Sequence, residues 1–315
     1  MINRIQYEKF GKFQTIVLVN DRGERVAVIP DFGATINELV LAKGDKKISV
    51  IEGYKTSGRL LRLDYCRSAK LTPFPNRIRD GVYSFHGRKY ALPINLPSQN
   101  HAIHGFVCNK QFRIRKTGTD KGSAFVELEY AYRHEVEGYP FDFLLVLKYL
   151  LGKKGLTCTT VIKNTGKRSM PLGDGWHPYF TFQENVDDLY LKLPSKRFLE
   201  TDERLIPTGK IKNCGSFEKL SKIGNTSLDT GFSIGLGGKI SCSEIYSPKK
   251  DASIVVWQET GRQKYNFIQV FIPPSRKSIA IEPMSCAANA FNNRRGLIIL
   301  GPNEKFNASC GVYLA

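Results

Sequence analysis

The stretch "FDFLLVLKYLLGKKGLTCTTVIKNTG", residues 141–166, constrains the fold more than any other. Two runs of apolar and β-branched residues flank Gly152-Lys153-Lys154-Gly155, an interruption with turn chemistry. The pattern predicts two long antiparallel strands joined by a tight turn. It recurs along the chain. "QTIVLVN" and "ERVAVIP" flank Asp21-Arg22-Gly23 and read as a hairpin, with "ATINELVL" as a third strand. "GVYSFHGRKYAL", 81–92, turns near His86-Gly87, and "FRIRKTGTDKGSAFVELEYAYR", 112–133, reads as another hairpin around a polar, Gly-containing loop. "SIVVWQ", "NFIQVFI", "SIAIE" and "GLIIL" are short strand-like runs. Long amphipathic 3.6-residue patterns and βαβ alternation are missing, which excludes a doubly wound parallel sheet. The expected fold is all-β, a large antiparallel β-sandwich formed as a single domain over residues 1–315. The more polar stretch 183–230 is expected to wrap the sheets as long loops with short strands.

Bulk composition narrows the function classes. Hydrophobic residues make up 41% and charged residues 24%, which is globular. No apolar run has the length of a membrane span. The start, "MINRIQYEKFGKF", has no apolar signal core, so the expected location is cytoplasmic. Seven scattered cysteines without a C-x-x-C pair fit a reduced compartment and make structural zinc an unfavoured reading. The net charge is +18, but the basic residues are spread along the chain and interleaved with acids. The densest basic stretch, "YKTSGRLLRLDYCRSAK" at 54–70, reads as a loop with a short helical turn that could recognise phosphate. It has no nucleic-acid signature, so neither a nucleic-acid nor a membrane partner is expected. "GLGG", 235–238, has the wrong context for a dinucleotide fingerprint, and neither a G-x-S-x-G elbow nor a P-loop occurs.

Five short stretches carry chemistry-bearing side chains. "GDGWHPYF", 173–180, sets His177 among Trp176, Tyr179 and Phe180, whose flat faces suit the C–H faces of a sugar. Read alone, a histidine such as His177 is more often a hydrogen-bonded core residue than a proton carrier with a pKa near 6.5, and its aromatic neighbours raise the second reading. "NHAIHGF", 100–106, offers His101 and His104 at i, i+3. Without an intervening Glu this is a weak metal signal, and on a strand the two would face opposite ways. At most one should line a given pocket. "IAIEPMSCAANAFNN" places Glu282 at the end of an apolar run, with Pro283 expected to close the strand. A carboxylate there must be solvated, paired or used. "TPFPNRIRDG" presents Asn76 and Arg77 after two prolines, where an arginine fork can bind hydroxyls or anions, or tie loops together. "SLDTGFSI" offers Asp229 before a Thr-Gly turn, where an Asp usually caps local backbone.

These segments, in this order and spacing, resemble the galactose mutarotase (aldose 1-epimerase) family, and the resemblance covers nearly the whole chain. "GWHPYF" stands where typical galactose enzymes carry NHTYF-like text, so the chain resembles a broader, less characterised branch. The resemblance implies a galactose mutarotase-like β-supersandwich that interconverts the α and β anomers of a free monosaccharide, with neither metal nor organic cofactor. It implies Glu282 as general base, His177 as the acid at the ring oxygen, and His104 as a second histidine that polarises the sugar. Arg77 and Asp229 would bind sugar hydroxyls, beside Asn76 and with Trp176 as a platform. Other readings stay open: a hexose-6-phosphate epimerase using the 54–70 cations, or a non-catalytic sugar-binding protein on the same fold. A pure binder needs no acid–base pair, which favours the isomerase. Monomer and homodimer are both compatible with the sequence.

Overall fold

Long alternation in the sequence becomes long strands. The computed structural model describes residues 3–213, 215–234 and 239–315, so the 235–238 "GLGG" stretch lies outside the described residues. Asp142–Gly152 and Gly155–Asn164 pair in unbroken register from Phe143–Asn164 to Gly152–Gly155, leaving Lys153 and Lys154 as the turn. Phe143, Leu145, Leu147, Tyr149 and Leu151 are buried, while the residues between them are partly exposed. Each buried Leu here contributes about 1.5–3 kcal/mol relative to an exposed one.

Among the described residues, the strands form three larger antiparallel sheets and several two-stranded pieces. Five N-terminal strands, from Arg4–Phe10 to Lys46–Ser49, neighbour one another in sequence order. A nine-stranded sheet holds the long hairpin between Ser123–Arg133 and Lys305–Leu314. A six-stranded sheet runs, in spatial order, Tyr179–Phe180, Ile279–Met284, Phe267–Phe271, Asp229–Ser233, Arg197–Thr201 and Pro207–Asn213. Ile16, Leu145, Ile254 and Ile281 belong to one continuous buried cluster, so all three sheets close on a shared core. The all-β antiparallel sandwich expected from the sequence is the observed architecture. Among the described residues, no helix is long and apolar enough to cross a membrane.

The six-stranded sheet positions the chemistry. On Ile279–Met284, Ile279 and Ile281 enter the core, so Ala280, Glu282 and Met284 point to the other face. Gln269 lies opposite Glu282, Phe271 opposite Ala280, and Asp229 opposite Phe271. Cross-strand partners share a face, so Glu282, Gln269 and Asp229 project together.

Two expectations need correction. Pro283 does not close its strand, which continues to Met284 with Pro283 opposite Ile268. A proline fits a ladder wherever its nitrogen faces away from the partner strand. Residues 183–230 do more than wrap the sheets. Their short strands supply two inner strands and one edge strand of the six-stranded sheet, and with them Asp229. The 54–70 stretch is as expected, with the short helix Ser57–Leu61 leading into a loop.

Candidate functional site

His177 sits on a strand of only two residues, Trp176–His177, paired with Ala69–Lys70. The Ser68 N–H donates to the His177 carbonyl at 2.8 Å and fixes its backbone. Tyr179, two residues on and therefore on the same side, stacks on the imidazole with centroids 5.0 Å apart and planes 12° apart. His177 Nε2 lies 3.2 Å from Glu282 Oε1. Both side chains are nearly sealed, with Glu282 1% and His177 6% exposed. His177 Nδ1 and Glu282 Oε2 are buried without a hydrogen-bond partner among the described residues.

His104 completes a cluster of rings, its centroid 5.1 Å from that of His177 at 79°. The Asn76 N–H donates to His104 Nδ1 at 3.3 Å, and the His104 N–H donates to the Asn76 carbonyl at 3.0 Å. Nδ1 is thus an acceptor, which leaves the proton of the neutral ring on Nε2. Asn76 and His104 both adopt left-handed backbone conformations, an arrangement that a side chain other than glycine takes at some cost. Asn76 Oδ1 also accepts from Arg77 Nη1 at 3.1 Å, while Arg77 Nε donates to Gln99 Oε1 at 2.7 Å. Arg77 Nη2 then reaches Asp229 Oδ2 at 3.5 Å, and Gln269 Nε2 donates to Asp229 Oδ1 at 2.5 Å. Asn76, Arg77, Asp229 and Gln269 also line a groove with Phe267 and Met284.

Burial sets the proton affinities. It raises the Glu282 carboxyl well above the usual carboxylate range, and the neighbouring Asp229 adds to this against the pull of Arg77. Burial pushes the His177 imidazole down to about 3. His104 is also held well below its ordinary value by burial, then by His177 and Arg77. Near neutral pH both histidines are therefore uncharged, facing a carboxyl that resists ionisation.

The structure brings together Glu282, His177, His104, Asn76, Arg77 and Asp229. It does not hold them in a wide-open cleft, because Glu282 and His177 are almost wholly covered. Trp176 does not join them. Neighbouring residues on a strand face opposite ways, so Trp176 points into the main core, 2% exposed, and Tyr179 is the ring beside His177. His101 is also elsewhere: its Nδ1 accepts from the Asp80 N–H at 3.2 Å and its Nε2 faces the Arg204 carbonyl at 3.3 Å. Among the described residues, no group of three or more His, Cys, Asp or Glu has a metal-holding arrangement. Sequence reasoning missed Gln269. The available signal was a polar residue interrupting the apolar run "FIQVFI".

With this geometry in view, comparison with known proteins is specific. The family model for aldose 1-epimerase matches residues 14–313. YihR of Escherichia coli, an uncharacterised protein, is 29% identical over 250 residues, covering 77% of this chain and 77% of that protein. Among solved structures, a galactose mutarotase-like protein from Clostridium acetobutylicum superposes with a TM-score of 0.88 at 25% identity, covering 99% of this chain and 98% of that one. A galactose 1-epimerase from Lactobacillus acidophilus gives a TM-score of 0.81 at 18% identity, covering 100% of this chain and 99% of that one, a likeness of fold.

Proposed function

The chain belongs to the aldose 1-epimerase family, and from that premise we propose that it interconverts the α and β anomers of a free aldose, with Glu282 as base and His177 as acid. The observation that carries the reading is the 3.2 Å contact between Glu282 and His177 in a sealed corner where each keeps one polar atom unpartnered. Ring opening requires one group to take the proton of the anomeric hydroxyl and another to give a proton to the ring oxygen. A pair that shares one proton has the right count. The sugar hydroxyl enters between the two groups and replaces their mutual contact. The shared proton passes from the Glu282 carboxyl to His177 as the sugar binds; the resulting carboxylate accepts the O1 proton, the imidazolium protonates O5, and the C1–O5 bond breaks to give the aldehyde. Rotation about C1–C2 presents the other carbonyl face, and reversal of both transfers closes the opposite anomer. Each transfer contributes about 10²–10⁴-fold.

The other residues bind and polarise. His104 presents Nε2–H as a neutral donor, and Arg77 with Asp229 offers hydroxyl partners of both polarities at the groove wall. Tyr179 holds the imidazole plane from behind, a role distinct from the sugar platform expected of Trp176.

The test is anomeric-proton NMR on freshly dissolved α-glucose and α-galactose, with and without catalytic amounts of protein, beside the Glu282→Gln variant. Acceleration that vanishes in the variant supports the reading. Hexose 6-phosphates and acidic sugars extend the panel, because Arg67 stands over the Tyr179 ring at 5.5 Å with its Nε unpartnered among the described residues. A folded wild-type protein inactive on every sugar would overturn the proposal and favour a silent sugar-binding protein.

A further inference from the structure

The acid and the base are carried by separate, short pieces of backbone, and their separation must hold to a fraction of an ångström for proton transfer. Strand pairing alone gives little to hold it. Trp176–His177 and Ala69–Lys70 are two residues each, and the histidine segment meets the glutamate strand through the isolated bridge of Gly175 to Met284 and the two-residue pairing of Tyr179–Phe180 with Ala280–Ile279.

Behind that junction, on the side of the strand away from the His177 imidazole, lies a buried charged network that the proposed reaction does not use. The Asp174 carboxylate has no solvent exposure. Its Oδ2 lies 2.5 Å from Lys70 Nζ and accepts from the Tyr265 hydroxyl at 2.7 Å, while Oδ1 accepts from Thr72 Oγ1. Its backbone N–H donates to Ser285 Oγ at 2.8 Å, and its carbonyl accepts from the Ser285 N–H at 2.8 Å. One residue thus clasps the strand that pairs with His177, the loop two residues before the strand bearing Gln269, and the chain three residues beyond Glu282. The flanking glycines press this hub into place. A Cβ on Gly173 would sit 2.4 Å from Cys286 Sγ, and one on Gly175 3.1 Å from the Pro283 carbonyl oxygen.

Burial of two charges is costly, and a well-packed apolar pair serves stability as well or better. A satisfied buried network does something that apolar packing does not do: it admits one arrangement of its members. We propose that Asp174 and Lys70 form a positioning unit that fixes the His177 segment against the Glu282 strand, and so sets the distance between acid and base. Neither touches the sugar site. This explains why the "GDG" of "GDGWHPYF" precedes the histidine. The inference rests on the epimerase reading above.

The experiment measures kcat and KM for anomer exchange by NMR, the pH profile, and thermal melting, for wild type, Asp174→Asn, Lys70→Arg and Tyr265→Phe. A misplacement of the order of 1 Å costs about 10²-fold in rate. Asp174→Asn is therefore expected to lose about 10²-fold in kcat with KM little changed and its pH profile displaced, while still melting cooperatively. Lys70→Arg keeps the charge and is expected to retain most of kcat. Tyr265→Phe removes one hydrogen bond from the hub and should show a smaller fall in the same direction. It carries the test if Asp174→Asn does not fold. A folded Asp174→Asn with unchanged kcat and pH profile overturns the inference, as does an unchanged Tyr265→Phe where Asp174→Asn fails to fold. A wild type inactive on the whole sugar panel sinks the epimerase reading instead. The ¹⁵N–¹H signals of the His177 ring then decide the positioning role, which is overturned if they are the same in wild type and the Tyr265 variant.

Discussion

The hairpin of Asp142–Gly152 and Gly155–Asn164 and the segment 173–180 are both β-structure, yet they are built on opposite terms. In the hairpin, burial alternates residue by residue, and the inward side chains are apolar except for Thr160 and Asn164. From Gly173 to Phe180 every residue is buried, the strands are two residues long, and an aspartate and a histidine are sealed inside. The hairpin derives its stability from a repetitive apolar face. The short segment gives up that source and holds its polar groups through specific partners. Regular alternation builds this scaffold, and chemistry sits where alternation stops.

The sharpest way to break this contrast is to make one substitution in each region. Glu282→Gln should reduce kcat/KM by about 10²–10⁴-fold, the contribution of a positioned base. The variant should still fold, because a neutral amide suits the sealed corner better than a carboxylate. In the hairpin, Leu145→Ala should cost about 2–5 kcal/mol of stability, since Leu145 is fully buried in the main core. Its kcat, measured per folded molecule, should be unchanged. Denaturant titration and anomer-exchange kinetics on both proteins check the pair. If Leu145→Ala lowers kcat, or if Glu282→Gln melts far below wild type, the division between scaffold and site fails.

The same contrast explains what the sequence revealed. The hairpins at 13–29, 82–91 and 142–164 were legible because alternation and turn residues mark them independently of tertiary contacts. The convergence of Glu282, His177, His104, Arg77 and Asp229 was anticipated through motif resemblance rather than any periodicity. The misassigned face of Trp176 shows the limit. In a segment buried on both sides, hydrophobicity does not say which way a ring points, and only the pairing of Trp176 with Lys70 and His177 with Ala69 decides it. Asp174 was hidden for another reason. Its partners Lys70, Tyr265 and Ser285 are 104, 91 and 111 residues away, so nothing local distinguishes it from a turn aspartate. His101 and His104 were separable in principle by strand geometry, and the structure separates them.

A pH series sharpens the comparison on a smaller scale. The Glu282 carboxyl ordinarily titrates near 4.5 and is raised well above that by burial. Between these two values the native protein keeps a proton that the unfolded chain has released. Stability is therefore lost as pH rises through this window, at up to about 1.4 kcal/mol per pH unit. His177 acts in the opposite direction. Held at about 3 rather than 6.5, it is uncharged in the native state while the unfolded chain binds a proton, so stability falls as pH drops through that range. Glu282→Gln removes the first slope alone. Its stability advantage over wild type should widen as pH rises above 4.5, and melting curves across pH would show it. A constant gap would mean that the carboxyl is not held neutral by its surroundings.

The smallest effect sets the baseline. Lys163, on the long hairpin, and Lys70, paired with Trp176, are both strand lysines, but Lys163 is partly exposed whereas Lys70 is 4% exposed and bound to Asp174. Lys163→Thr replaces a surface cation with a good strand former and should move stability by no more than about 0.5 kcal/mol. Anomer-exchange rates should not change, because no substrate group or hub residue depends on that side chain. A larger loss at Lys163 would show that the regular sheet also relies on individual charges, and the contrast between the two regions would then be one of degree.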